Sequence, residues 1–418
     1  MARFEAALAR ASAGFVPAEH AATIARVCES ASFDASKLAA EARRAGTLAI
    51  PFVKELTARV PGEAARYVHF GATSQDVIDT AVVLCLREAG QRVLALARRL
   101  GDAAAQLAER HRDTPTVART LLQPATPVPF GWKAAVWLSL VGHSFDGFRR
   151  AADEVCTLQF GGAAGTLAAF GNQGDAIATA LARELNLKNP ALPWHSARGG
   201  FARFGAEAAI LAGAAGKIAR DVSLLMQPEV GEVLEPAGAG RGGSSALPHK
   251  RNPAASLLAL EASQRAPALA ATLLADLTPE HERGLGQWQA QWFTLRSLLC
   301  VASSGVAAMA ETLAGLEVRA EAMAANIERT QGLVFSEAVA LRLAQPLGKS
   351  AAHALTEKLC ARAVHEASHL RDVMRRDDEV MRMLPAAELD ALFDARRAFG
   401  AAQPMIDRAL ATWRQTAS

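Results

Sequence analysis

Apolar residues recur at helical spacing over stretches far longer than an ordinary helix. The longest stripe, Trp288, Trp292, Leu295, Leu299, Ala302, Val306, Met309, Leu313 and Leu316, alternates steps of four and three, the repeat of one helix face. At about 1.5 Å per residue such a helix is roughly 42 Å long and needs a partner along its whole length. Two further stripes follow the same rule: Val82, Leu86, Ala89, Val93, Leu96, Leu100, Ala103 and Leu107, then Leu211, Ala214, Ile218, Val222 and Leu225. The apolar content is mostly Ala and Leu, with a single Tyr, which favours helix over sheet. The pattern predicts an all-α chain built on a central long-helix bundle. The partners of the stripes are either helices of the same chain or those of other subunits.

Pro and Gly cluster at 113–131, 188–205, 228–253 and 279–286, where they break the rods. Three helical domains are expected: an N-terminal one over 1–100, the bundle over 101–340, and a C-terminal one over 341–418. Rods leave the chemistry to the loops at their ends.

Charge narrows the partners. Lys and Arg number 45 against 42 Asp and Glu, too balanced for a chain that grips nucleic acid or a membrane. Five cysteines lie far apart with no CxxC pair, so neither a disulfide framework nor a zinc knuckle is expected and a reducing cytoplasm fits. Arg3, Glu5 and Arg10 interrupt the N-terminus, which rules out a signal peptide. The uncharged stretch from Val155 to Gly174 is full of glycine, a poor membrane span. A soluble protein is expected.

Two short patterns mislead. Gly238, Gly240 and Gly243 satisfy GxGxxG, but EVGEVLEP before them is no buried strand and no βαβ unit follows, so no dinucleotide site is expected. His365, Glu366 and His369 spell HExxH in a highly charged amphipathic stretch without a third ligand, and no metal is expected. The informative segment is GAGRGGSSALPHKRNPAAS, 238–256. Glycines make its backbone free to move, two hydroxyls follow, then cations and Asn252-Pro253. Those chemistries suit a lid that moves a proton and holds an oxyanion.

Gly243 to Pro253, GSSALPHKRNP, resembles the GSSxMPxKxNP signature loop of the fumarase/aspartase superfamily, with Leu247 a near volume-conserving replacement of the usual Met. His69 to Asp76, with Asp79-Thr80, resembles the first conserved block of that superfamily. Arg119 to Ala125 resembles the second. The likeness spans nearly the whole chain and places its start inside the first helix of the family.

Departures choose a branch. Adenylosuccinate and argininosuccinate lyases are similar in carrying a catalytic His where this chain has Leu121. Adenylosuccinate lyases also follow the HER sequence with groups that hold a nucleotide phosphate, where this chain has Trp288 and Trp292. The runs GQWQAQW, GATSQDVIDTA and NIERTQGLVFSEAVAL most resemble the bacterial cycloisomerase branch, whose members lactonise a carboxylated muconate. An adenylosuccinate-lyase-like activity is the alternative, and a non-catalytic structural descendant a third reading that the intact loop opposes. Pro124 stands where some of the branch have a histidine, so no general acid carries over from it.

The resemblance implies an intramolecular lyase that needs no cofactor and acts on a small tricarboxylate, in homotetramers whose sites are shared between chains. By that likeness Ser244 transfers the proton and Lys250 with nearby amides supports its alkoxide. His195 is a catalytic candidate. Substrate carboxylates fall to His69, Thr73, Ser74, Gln123, Arg198, Ser245, Asn252 and Arg283, and Arg198 suits a bidentate clamp.

Overall fold

In the computed structural model, which describes residues 1–238 and 240–418, each stripe lies on one long helix, except that Leu316 falls just past the end of its own. Four short helices come first, α1 (Ala2–Ala11), α2 (Ala18–Ser30), α3 (Ala35–Ala45) and α4 (Ala49–Arg59). Then come α5 (Ser74–Arg110), a hairpin of β1 (Pro115–Thr120) and β2 (Gln123–Pro129), and α6 (Phe130–Glu154). After α7 (Gly174–Leu185) follow α8 (Gly199–Leu225), β3 (Val233–Leu234), α9 (Ala254–Ala275), α10 (Gln287–Ala314) and β4 (Glu317–Val318), which pairs with β3. The remainder is α11 (Ala320–Glu328), α12 (Ser336–Leu347), α13 (Lys349–His365), α14 (Leu370–Arg375), α15 (Asp378–Met383), α16 (Ala386–Leu392) and α17 (Ala402–Ala417). The fold is all-α, with two small antiparallel ladders among the described residues.

The stripes are buried within the single chain: Val93, Leu100 and Leu107 of α5, all five members on α8, and Leu295, Ala302, Val306 and Met309 of α10. Other faces of α8, α9 and α10 leave Ile210, Leu257, Leu258, Leu274 and Phe293 exposed, the last at 73%. By length and composition α10 would cross a bilayer, yet 56% of its most apolar window is buried in the protein.

The chain divides into two compact units. One comprises Met1–Ala95, Gly147–Ile210 and Gln264–Ser303, the other Leu96–Asp146, Leu211–Ser263 and Ser304–Ser418. The first packs Phe4 and Leu8 of α1, Val77 of α5, Phe160, Phe170 and Leu181 into one core. Gly71, at φ +68°, abuts it so closely that a Cβ would lie 2.3 Å from the Phe170 ring; only glycine lets the chain turn there into α5. In the second unit Val339, Leu359, Leu370, Met374 and Leu389 form a core of their own. There α8 and α9 approach through Gly216, where a Cβ would fall 2.3 Å from the Ser263 side chain. Small residues thus let the rods pack closely.

The Pro-rich segment 113–131, expected as a loop, is a hairpin with a register shift between Val117 and Arg119. Both strands of a two-stranded ribbon are edges, where prolines cost no ladder bond that matters. The HExxH pattern does not lie on one helix. α13 ends at His365, Glu366 pairs with Arg362 and Arg376, and the His369 Nδ1 accepts from the Arg371 amide to cap α14.

Candidate active site

The first conserved block builds the start of α5. Asp76 reaches back to the Thr73 amide at 3.0 Å, half of a capping box, and a carboxylate in the first turn suits the helix dipole. Asp76 is fully buried. It also accepts from the amides of Gly161 (3.0 Å) and Gly162 (2.9 Å) and from Gln159 Nε2 (3.2 Å), and its Oδ1 lies 2.7 Å from His195 Nε2. A Cβ on Gly161 would meet His195 Cε1 at 2.8 Å, so glycine makes room for the ring, while Gly165 would place one 4.0 Å from Nδ1. The second ring nitrogen therefore faces the glycine-rich turn 161–165. A buried carboxylate on one nitrogen fixes the imidazole's orientation.

One turn further along α5, Asp79 is equally buried. It takes Arg198 Nη1 at 2.5 Å and Nη2 at 3.1 Å, Gln75 Nε2 at 3.1 Å and Trp288 Nε1 at 2.9 Å. Gln291 Oε1 accepts from Arg198 Nε and Nη2, and the guanidinium lies 4.8 Å from the ring centroids of Trp194 and Phe201. Arg198 is thus occupied inside the protein, and the bidentate clamp expected for substrate is made on Asp79 instead. Spacing alone does not reveal Asp79 and Gln291 as its partners, 119 and 93 positions away. One signal was present: Gln75, Asp76, Asp79 and Thr80 interrupt an apolar helix start at i, i+4 spacing, where buried polar groups must find partners.

Arg283 joins this cluster. Its guanidinium donates to the Thr73 hydroxyl (2.9 Å) and to the carbonyls of Ala163 (2.7 Å) and Gly162 (3.4 Å). Ser74 is the first residue of α5, half-buried beside Thr73. His69 Nδ1 lies 2.7 Å from the buried Glu5 carboxylate. Burial pulls the His69 pKa down, but Glu5 and, more weakly, Asp76 overcome this and hold it above the usual histidine value.

The remaining predicted residues belong to the other compact unit. Gln123 is exposed beside the hairpin tip and lines a cleft of about 680 Å³ with Arg119, Asn326 and Arg329. The tip itself is Leu121-Leu122, at φ +50° and +65° and 96% and 71% exposed. Two positive φ values suit a two-residue hairpin turn that Asn-Gly ordinarily fills, and leucine pays about 1–2 kcal/mol per residue for them. Strain and apolar exposure coincide at one point.

The signature loop closes on itself. The Asn252 amide donates to the Gly242 carbonyl at 2.8 Å, and its side-chain Nδ2 to the Gly243 carbonyl at 3.2 Å. The amide expected for substrate therefore frames the loop here. Inside the ring the Ser244 Oγ accepts from the amides of Leu247 (3.1 Å) and Ala246 (3.4 Å). Ser245 and Lys250 are exposed. Ala239, within the glycine-rich segment, lies outside the described residues.

Comparison with known proteins finds relatives over nearly the whole chain. A family model described as lyase matches residues 2–267, and one described as adenylosuccinate lyase C-terminus matches 332–409. The chain is 50% identical over 415 residues to the 3-carboxy-cis,cis-muconate cycloisomerase of Bradyrhizobium diazoefficiens, covering 98% of this chain and 92% of the relative. It is 47% identical to the enzyme of the same name from Pseudomonas aeruginosa, covering 98% and 91%. The crystal structure of 3-carboxy-cis,cis-muconate lactonizing enzyme from Pseudomonas putida superposes with a TM-score of 0.93 at 42% identity, covering 100% of this chain and 94% of that one.

Proposed function

The chain belongs to the fumarase/aspartase superfamily of lyases, in its cycloisomerase branch, and from this premise we propose how its residues interconvert 3-carboxy-cis,cis-muconate and 4-carboxymuconolactone. In the lactonising direction a carboxylate oxygen of the substrate adds to the diene and closes a five-membered ring. The electron pair displaced by that bond moves into a neighbouring carboxyl group, giving an aci-form with two negative oxygens, and a proton then returns it to carbon. Because nucleophile and diene share one molecule, orientation supplies much of the rate. The protein's tasks are to fold the acid, steady the dianion and deliver one proton.

Ser244 delivers that proton. The observation that carries this role is its place within the closed loop, where two amides point at Oγ and support the alkoxide left behind. Lys250 supplies positive charge, and Thr73, Ser74, Ser245 and Gln123 bind carboxylates. Arg283 holds the Thr73 hydroxyl in place, and Asn252 holds the loop closed. His195, oriented by Asp76 with Nδ1 toward the 161–165 turn, is the group that resupplies the proton Ser244 gives up. His69 and Arg198 position the start of α5 rather than touch substrate. The direct test is to supply 3-carboxy-cis,cis-muconate and follow the conjugated diene's ultraviolet absorbance. Rapid loss is expected; turnover of adenylosuccinate instead would replace this reading.

The working form is a homotetramer in the cytoplasm, with each site drawing residues from several copies and the three-part division of the chain at about 100 and 340 separating bundle from flanking domains. The exposed apolar residues of α8, α9 and α10, and the strained leucine tip beside Gln123, support a covered surface, and five free cysteines fit a reducing compartment. Gel filtration coupled to assay is expected to find activity only in the oligomer peak. Full turnover by a monomer would overturn the shared site.

A further inference from the structure

Glu235 belongs to no recognised motif, yet it lies in the sequence entering the signature loop and is bonded to the sequence leaving it. It follows β3 directly and is 7% exposed. Its Oε2 accepts from the Ala255 amide at 3.0 Å, and its Oε1 from the Ser256 amide at 2.8 Å and the Ser256 Oγ at 2.6 Å. Those amides open α9, where N–H groups have no acceptor within the helix and negative charge is favoured. A helix start is ordinarily capped by a near neighbour in sequence. Here the capping group comes from about twenty residues upstream, so the bond also closes the chain. The Glu235 backbone carbonyl takes Arg251 Nη2 at 2.9 Å, adding a third tie on the same leg.

Above this clamp sits the small ring closed by Asn252 on Gly242 and Gly243. Gly242, at φ +64°, is so close that a Cβ would lie 2.5 Å from the Asn252 carbonyl oxygen. The ring that carries Ser244 therefore joins, through Asn252-Pro253, a leg held at 251, 255 and 256 by one carboxylate residue. We propose that Glu235 is a positioning residue for the proton transfer: it fixes the Arg251–Ser256 leg and so aims Ser244. This rests on the role given to Ser244 above. A carboxylate is required because each of its oxygens meets a donor; glutamine would keep one acceptor and turn an N–H₂ group toward an amide N–H.

The test uses the full-length enzyme with Glu235→Gln, Ser256→Ala, both together, and Ser244→Ala beside them. Misaiming a reacting group by about 1 Å costs up to about a hundredfold, so Glu235→Gln is expected to lower kcat between about tenfold and a hundredfold. KM should change little, since the lost alignment acts in the transition state. Ser256→Ala keeps both amides and should lose less, and the double variant should be no worse than Glu235→Gln alone, because both act through one contact. Amide hydrogen exchange at Ala255 and Ser256 should quicken in Glu235→Gln while circular dichroism shows a folded protein at the assay temperature. A lowered melting temperature with kcat unchanged would make Glu235 purely structural and overturn the proposal. Loss in Ser244→Ala with full activity in Glu235→Gln overturns the positioning role alone. Full activity in Ser244→Ala removes the role of Ser244, and with it the group Glu235 is said to aim.

Discussion

Turnover of 3-carboxy-cis,cis-muconate by Ser244→Ala is expected to fall by about a hundredfold or more, the scale of losing a positioned acid–base group. A free serine hydroxyl is a poor proton carrier because its alkoxide is costly in water. In the loop the cost is reduced by donors already in place: the Ala246 and Leu247 amides aim at Oγ from 3.4 and 3.1 Å, and they need no reorganisation when charge appears. Alanine removes the oxygen those amides serve and leaves the ring otherwise intact, since its closure runs through Asn252 on Gly242 and Gly243. The loss should therefore appear in kcat, with the melting temperature near that of the parent. Ser245→Ala, which removes the neighbouring exposed hydroxyl, should cost much less. Absorbance of the diene gives both numbers directly. A Ser244→Ala enzyme within a few-fold of the parent would take the proton transfer away from this residue.

The parts of the molecule that were legible in sequence are those whose cause is local. Leu211, Ala214, Ile218, Val222 and Leu225 lie on one buried face because helical spacing alone dictates a face, and burial of all five follows. The signature loop was legible because its chemistry is packed into consecutive residues. Three features were not. Arg198 has the composition of a substrate clamp, and only tertiary placement of Asp79 and Gln291 shows that its donors are taken. Leu121 and Leu122 carry no turn propensity, so a hairpin tip at positive φ contradicts what leucine prefers and is imposed by the ladder on either side. Glu235 lies outside the motifs that carry the resemblance, and its partners at 255 and 256 become neighbours only when the loop folds back. Each of these depends on contacts across many positions, which spacing cannot encode.

The largest effect on stability is expected at Arg198. Its guanidinium and the Asp79 carboxylate are both almost wholly removed from solvent, at 2% and 0% side-chain exposure. Removing one member of such a pair leaves the other charge buried without its counter-ion, a loss of about 3–5 kcal/mol. In Arg198→Met, Asp79 would keep Gln75 Nε2 and Trp288 Nε1 as donors but no positive charge, and Gln291 Oε1 would lose both N–H groups it accepts. Helix α5 begins at Ser74, little more than a turn before Asp79, so the loss would also loosen the helix start where Thr73 and Ser74 are proposed to bind carboxylates. Urea denaturation should show a large fall in midpoint for Arg198→Met. Replacing Asp79 by leucine in the same chain should recover part of it, because no unpaired charge then remains; recovery is partial since the Gln75 and Trp288 donors lose their acceptor. That sign is the sharp part of the expectation: a double variant more stable than the single one identifies an internal ion pair. An Arg198→Met midpoint equal to the parent's would instead show the guanidinium to be dispensable for folding and would return it to the residues that meet the substrate.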